Sequence, residues 1–341
     1  MRNRFPLIAV FLVALQGCVQ KDLCFDHDGH APKCEVDVTV DWQLDWQYTY
    51  PGGVDWAERW AGYDFGMAYD ALRPIKPTGI KVQTYTDGVD NTLSVIGPDS
   101  GTVHTTPGEH QLLFYNNNTE YITFNDLERS ASATASTRGR SRASYFGIPM
   151  LPESGDETTV NAPDPLFGCY IPSYRAQMST QADKIDVTMK PLVFTYLVRY
   201  HFDSGLQHVA LARGAMSGMA ASVFLTDGHT GSDVATILYE CEIKPWGIEA
   251  IVRSFGLPNY PNPYYSRASG RSGVNLEVRL RNGKILNFYW DISGQLSTQP
   301  RGGVIEVYGA KVTDEDAKED TGSFDVTING WGEWVDIPLD F

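Results

Sequence analysis

Basic charge is scarce in this sequence: 27 lysines and arginines stand against 42 aspartates and glutamates, a formal net charge of −15. That deficit excludes nucleic acid and anionic headgroups as partners, because both are held by basic patches. The apolar run Phe5–Leu15 is too short for a membrane-spanning helix, which takes about 20 residues. Phosphate-cradling glycine loops, a Walker lysine and a dinucleotide fingerprint are all missing, so nucleotide chemistry has no motif to rest on. The serine-nucleophile motif fails as well, since Ser217 is flanked by Ala215 and Met219 where the elbow needs glycines. His104, His110, His201, His208 and His229 each stand alone, and no carboxylate pair stands out. We therefore read a non-enzymatic protein with no cofactor and no metal.

What is present begins at the N-terminus, MRNRFPLIAVFLVALQGC. Arg2 and Arg4 precede the short apolar run, and Gly17 precedes Cys18. This is a secretory signal over residues 1–17, and Leu15-Gln16-Gly17-Cys18 has the form of a bacterial lipobox. Cys18 is then the lipid-bearing residue of the mature chain. Acyl chains contribute about 0.8 kcal/mol per buried CH₂, so a triacylated cysteine anchors stably. The location implied is the outer membrane, facing the cell exterior. Removing Arg2 and Arg4 with the signal takes the net charge from −15 to −17.

The body of the chain reads as all-β, because glycine (32 residues) and proline (19) punctuate short β-branched and aromatic runs. Val36, Val38, Val40, Trp42, Leu44 and Trp46 alternate with polar residues and predict a half-buried strand. Trp56 and Trp60, four apart, suit a helical turn. Short β-like runs follow at 64–72, 79–86, 110–115 and 120–124, the last two reading as a hairpin. Asn282-Gly283 carries the signature of a type I′ turn. Residues 129–144, RSASATASTRGRSRAS, are small and basic and predict an exposed loop. Arg138, Arg140 and Arg142 make that loop a candidate for trypsin-like cleavage. Proline between 149 and 172 suggests a connection, which gives a lipidated tether over 18–34, a first β-sandwich domain over 35–172 and a second over 173–341.

With Cys18 lipidated, Cys24, Cys34, Cys169 and Cys241 remain, and Cys24 with Cys34 is the local disulfide candidate. Cys24, His27, His30 and Cys34 have spacings near those of a zinc site. They precede the first strand, where no rigid shell would orient them. Most tryptophans fall on apolar faces and read as core. Tyr260, Tyr264 and Tyr265, in the Pro- and Asn-rich stretch 258–267, are the candidates for an exposed ligand contact, with perhaps a sugar as ligand and Trp246 beside them.

The lipobox, the DLCFDHD tether leading into the V-x-V-x-V strand, PGEHQLLFYNNNTEYITF, M-x-P-L-V-x-T-Y with its MSGMAASVFL continuation, and NGWGEWVDIPL together resemble Bacteroidales fimbrillin-like lipoproteins. The group is the FimB/Mfa2-like one, with a DUF5119-like branch of unknown function. The resemblance covers nearly the whole mature chain. It implies two tandem transthyretin-like, Greek-key β-sandwiches and a role as anchor, assembly or accessory subunit of a fimbria-like system, in adhesion. The implied partners are fimbrial subunits, met by strand addition or end-on packing, together with the outer membrane and a host protein or glycan. The alternative is a glycan-binding surface lipoprotein.

Overall fold

A computed structural model describes residues 34–49, 51–140, 158–261, 271–318 and 336–337. Cys18, Cys24, His27, His30, Arg142, Tyr264 and Tyr265 lie outside these residues.

Alternation decides the first strand. Val36, Val38 and Val40 of β1 (Cys34–Trp42) are buried while Glu35, Asp37, Thr39 and Asp41 face water, the pattern of a sheet with one face on a core. The regularity ends sooner than expected: Leu44 and Trp46 leave the strand, and Trp46 joins a different cluster. Next come β2 (Ile80–Thr86), β3 (Val89–Ile96), β4 (Ser100–Thr105) and β5 (Gly108–Asn116). Asp87 and Gly88, at φ 54° and 78°, join β2 to β3 through the left-handed backbone of a type I′ turn. Further on lie β6 (Ile122–Asn125), β7 (Thr134–Thr137), β8 (Gly139–Arg140), β9 (Thr158–Asn161), β10 (Phe167–Ala176) and β11 (Asp183–Pro191).

The first sheet runs β3-β2-β5-β10-β11-β1-β4. Its β10–β11 join is short, Phe167 opposite Pro191 and Gly168 opposite Lys190. The sheet folds over at this corner, and Val38, Val82, Val103, Phe114, Phe167 and Met189 fill the space between its two wings.

The remaining strands are β12 (Phe194–Ser204), β13 (Val209–Ala220), β14 (Ser222–Phe224), β15 (Val234–Glu240), β16 (Glu242–Lys244), β17 (Gly247–Ser254), β18 (Gly273–Leu280), β19 (Ile285–Asp291), β20 (Gly303–Lys311) and β21 (Asp336–Ile337). They form a four-stranded sheet, β16-β17-β12-β20, and a seven-stranded one, β19-β18-β13-β15-β9-β8-β21. A second core packs between these, with Val198, Tyr200, Met216, Ile237, Ile248, Leu276 and Ile305 at its centre. The three-stranded sheet β14-β7-β6 lies between the cores, where Ala133, Ala135 and Val223 pack with Tyr85, Leu113 and Tyr115 of the first sheet. The all-β class is as the sequence indicated.

Several local expectations are corrected. Residue 172 falls inside β10, and β11 belongs with β1, pairing with it in parallel from Val36–Asp183 to Trp42–Met189. Conversely, β9 is a parallel neighbour of β15. The chain therefore crosses between the two cores more than once, and no break at 172 separates them. Pro172 misled because it sits at a register shift between Ile171 and Tyr174, where a strand tolerates proline. The Arg-rich tract is largely strand: Ala133, Ala135, Ser136 and Thr137 are buried. Its side chains are small enough for the neighbouring sheet to close over them. β5 and β6 belong to different sheets and make no hairpin. In the 64–72 run, the structure has a 3₁₀ turn over Tyr69–Leu72. At Asn282-Gly283 only the glycine has positive φ, 87°, and Gly283 N donates to Leu280 O at 2.9 Å. That is a three-residue loop with a left-handed glycine, not a type I′ turn.

Candidate binding cleft and open edge

After β1 the chain leaves the first core and straps across the second. Trp46 O accepts from Thr195 N, Tyr48 N donates to Arg301 O and Val54 N donates to Thr298 O, each at 2.9 Å. Asp55 caps a single helical turn, α1 (Trp56–Arg59), by accepting from Ala57 N at 2.8 Å. This turn stacks Trp56 and Trp60 on one side, as their spacing suggested. Trp46, Trp56, Trp60, Phe65 and Leu72 then close over Leu197 and Val304 of β12 and β20. Polar ends are tied as well: Trp56 Nε1 donates to Gln299 Oε1 at 2.8 Å and Trp60 Nε1 to Met67 O at 3.1 Å. Gly302, at φ 76°, lets the strap approach, since a Cβ there would lie 2.4 Å from Trp46 O.

Between the strap, β10–β11 and the loop after β14 lies a cleft of 720 Å³, within the usual range for small-ligand sites. Tyr48, Tyr69 and Phe194 supply rings, and Asp45, Asp55, Asp227, Lys190 and Arg301 supply charge. Tyr48 is 48% exposed and packs edge-on to Phe194 with centroids 6.5 Å apart. Arg301 is only 6% exposed. Its guanidinium carbon lies 5.3 Å from the Phe194 ring centre and 5.2 Å from that of Tyr260, within cation–π range. Nη2 donates to the carbonyls of Gly228 and, at 3.0 Å, Tyr260. Burial pulls the Arg301 guanidinium down to about 10, with Tyr260, Tyr196, Tyr48 and Asp227 opposing that loss.

A second polar cluster lines the outer face of β12, β17 and β20. Arg199 lies 3.4 Å from Glu249 and 3.2 Å from Glu306, and His201 Nε2 is 3.2 Å from the same Glu306 oxygen. Arg199 also sits 3.9 Å from the Trp246 ring centre, and His201 stacks on Tyr308 at 4.4 Å. Burial raises the Glu249 carboxyl, against the lowering effect of Lys244 and Arg199. Trp246 is thus occupied by Arg199.

The tyrosine expectation is corrected at Tyr260, which is 7% exposed. Thr230 Oγ1 and Arg301 bond to its carbonyl, and its ring covers the guanidinium. Cys34, Cys169 and Cys241 are free thiols, with burial raising those of Cys169 and Cys241. Ser217 is fully buried. Arg138 is held in the fold through its backbone, its N–H donating to Tyr121 O and its carbonyl accepting from Asn161 N. Arg140 pairs across to β21 and donates to Leu238 O at 3.2 Å. Among the described residues no helix is long and apolar enough to cross a membrane.

One sheet margin is apolar and open. Val89, Leu93 and Val95 of β3 are 53%, 53% and 63% exposed, and β3 ends its sheet. Its start is covered, since Asp90 N donates to Glu128 O at 2.8 Å.

Residues 71–240 match the model of the DUF5119 family, a domain of unknown function. This chain carries a DUF5119 domain. The domain takes in β2 to β15 and so includes β3 and the middle of the cleft, while β1 and Arg301 lie beyond it. A Bacteroides ovatus ATCC 8483 protein with the provisional name fimbrium anchoring subunit Fim4B is 26% identical over 248 residues. That match covers 70% of this chain and 62% of the relative, so the chain aligns with less than two thirds of the relative's length. A crystal structure of a provisional adhesin from the same B. ovatus strain superposes with a TM-score of 0.55 at 18% identity, covering 87% of this chain and 97% of that one. A second provisional B. ovatus adhesin gives a TM-score of 0.46 at 9% identity, over 81% and 89%. The DUF5119 chain therefore shares its fold with the first of these.

Tyr48, Phe194, Lys190 and Arg301 were not picked out from the sequence. Each is ordinary in its own segment, and only the strap brings them together.

Proposed function

We propose that this DUF5119 protein is a non-enzymatic, cell-surface subunit of a fimbria-like system, held in the outer membrane by lipid on Cys18 and facing outward. The match to the provisional fimbrium anchoring subunit over 248 residues carries this reading. The lipobox supplies the anchor, and residues 19–33 supply the length between lipid and first strand. At up to about 3.3 Å per extended residue this tether spans tens of ångströms, so the folded part can stand clear of the bilayer.

For contact with neighbouring subunits, β3 offers an edge to which an extended strand of another subunit can add. The exposed side chains of Leu93 and Val95 supply apolar contacts, and the backbone supplies the ladder. The test is a photo-cross-linking residue placed at Val95 and, separately, at the exposed Tyr308 of the other core. A covalent adduct with a filament subunit at Val95, but not at Tyr308, is expected. Adducts at Tyr308 alone, or at neither, would remove the β3 edge from the account.

A further inference from the structure

The cleft carries a second and independent assignment. Five charged residues line it, yet their carboxylates are already engaged. Asp45 lies 3.5 Å from Arg73 Nη1, Asp227 lies 2.6 Å from His229 Nδ1, and Asp55 caps α1. The cations are not matched in this way. Among the described residues neither Lys190 nor Arg301 has a carboxylate within 4.0 Å. Arg301 is 94% buried, given its 6% exposure, and its Nε has no hydrogen-bond partner. A buried guanidinium satisfied only by carbonyls keeps its whole charge uncompensated, a cost of several kcal/mol unless an anion meets it. Beside these cations stands the half-exposed ring of Tyr48, a flat amphipathic surface on which the apolar face of a sugar ring can lie.

We propose that this cleft binds a saccharide bearing a single carboxylate, its charge met by Lys190 and Arg301 and its ring laid against Tyr48. A polyanion fits less well, because the chain's net charge of −15 repels it at long range. One carboxylate at short range escapes most of that penalty. The same chemistry occurs in terminal sialic acids of host glycans and in the uronic acids of plant and bacterial polysaccharides, and the probes separate these sources.

The experiment is isothermal titration of the whole folded protein with 3′-sialyllactose, an aldobiuronic disaccharide and lactose. Binding of at least one acidic sugar, with lactose about tenfold weaker or more, is expected, since a charge-assisted hydrogen bond contributes about 1.5–3 kcal/mol. Binding of sialyllactose alone would mark a host glycan, and binding of the disaccharide alone a polysaccharide. Lys190→Ala and Tyr48→Ala, both at exposed side chains, should each weaken binding severalfold or more while leaving the melting temperature close to wild type. Lys190→Arg should restore it. Leu93→Lys, on the β3 edge, should not alter it, so loss of the fimbrial reading and loss of this one are separable. No binding by either acidic sugar, equal binding of lactose, or affinity unchanged in both variants would overturn the proposal.

Discussion

Replacing Trp46 by alanine should break the hold of the strap on the second core. The indole is fully buried, with its ring 5.7 Å from Trp60 and 5.1 Å from Tyr69, and it lies in one cluster with Leu197 and Val304. Truncating a core tryptophan costs about 3–5 kcal/mol, and each ring pair adds about 0.5–1.5 kcal/mol. One effect runs the other way. Trp46 Nε1 is buried without a hydrogen-bond partner, and removing such a group recovers about 1–3 kcal/mol. Trp46→Ala should therefore lose about 4 kcal/mol. Trp46→Phe keeps most of the packing and sheds the orphan N–H, so it should lose less than about 1.5 kcal/mol. Urea unfolding followed by far-ultraviolet circular dichroism measures both, and the freed cores should give the alanine variant a broader transition. A loss below about 1.5 kcal/mol for alanine, or phenylalanine as damaging as alanine, would refute the strap as a structural tie.

Arg213 and Glu277 form a fully buried ion pair, Nε to Oε1 at 2.7 Å. Arg213→Met alone should cost about 3–5 kcal/mol by stranding the carboxylate, while Arg213→Met with Glu277→Leu should recover most of it in the same unfolding assay. Asp316 is pulled down to about 2 by Lys284 and by Thr313, which it accepts from at the capping box of α3, a single turn over Asp314–Ala317, with α2 being the turn over Ser293–Leu296. Its folded value lies below the ordinary 3.8, so this contribution is complete above about pH 4 and disappears as pH falls towards 2. Asp316→Asn should flatten the stability profile across that window, measured by urea midpoints at stepped pH. Trypsin acting on the folded protein should leave the Arg138–Gly139 bond intact, because the backbone on both sides is bonded into the sheets; early mass-spectrometric fragments ending at Arg138 would contradict the buried-tract account.

Local periodicity was legible in the sequence, and long-range partnership was not. The Val36–Val40 alternation named its strand and its faces, and Trp56 with Trp60 named a helical turn. Asp87-Gly88 and Asn282-Gly283 marked turns in the right places, although the second took a three-residue form. The Arg-rich tract failed because small polar side chains read as solvated in isolation. In the fold, Ala133 and Ala135 are the right size to sit under Tyr85 and Leu113. Residue 172 failed as a boundary because β11 returns to lie beside β1, a parallel pairing that no local pattern announces. The cleft was hidden for the same reason, since its walls come from residues 43–57, 168–194, 225–228 and 301. Tyr260 looked exposed among prolines and asparagines, and only the structure shows Arg301 beneath its ring.

The central claim, that this is an outward-facing lipid-anchored subunit of a fimbria-like system, is tested most directly on cells. Filaments would be sheared off, and the protein followed by immunoblot in the filament and outer-membrane fractions before and after protease treatment of intact cells. The account predicts protein that is protease-accessible, shared between membrane and filament, and lost from the membrane fraction in Cys18→Ala. Protein protected from protease, or absent from every filament, would contradict it.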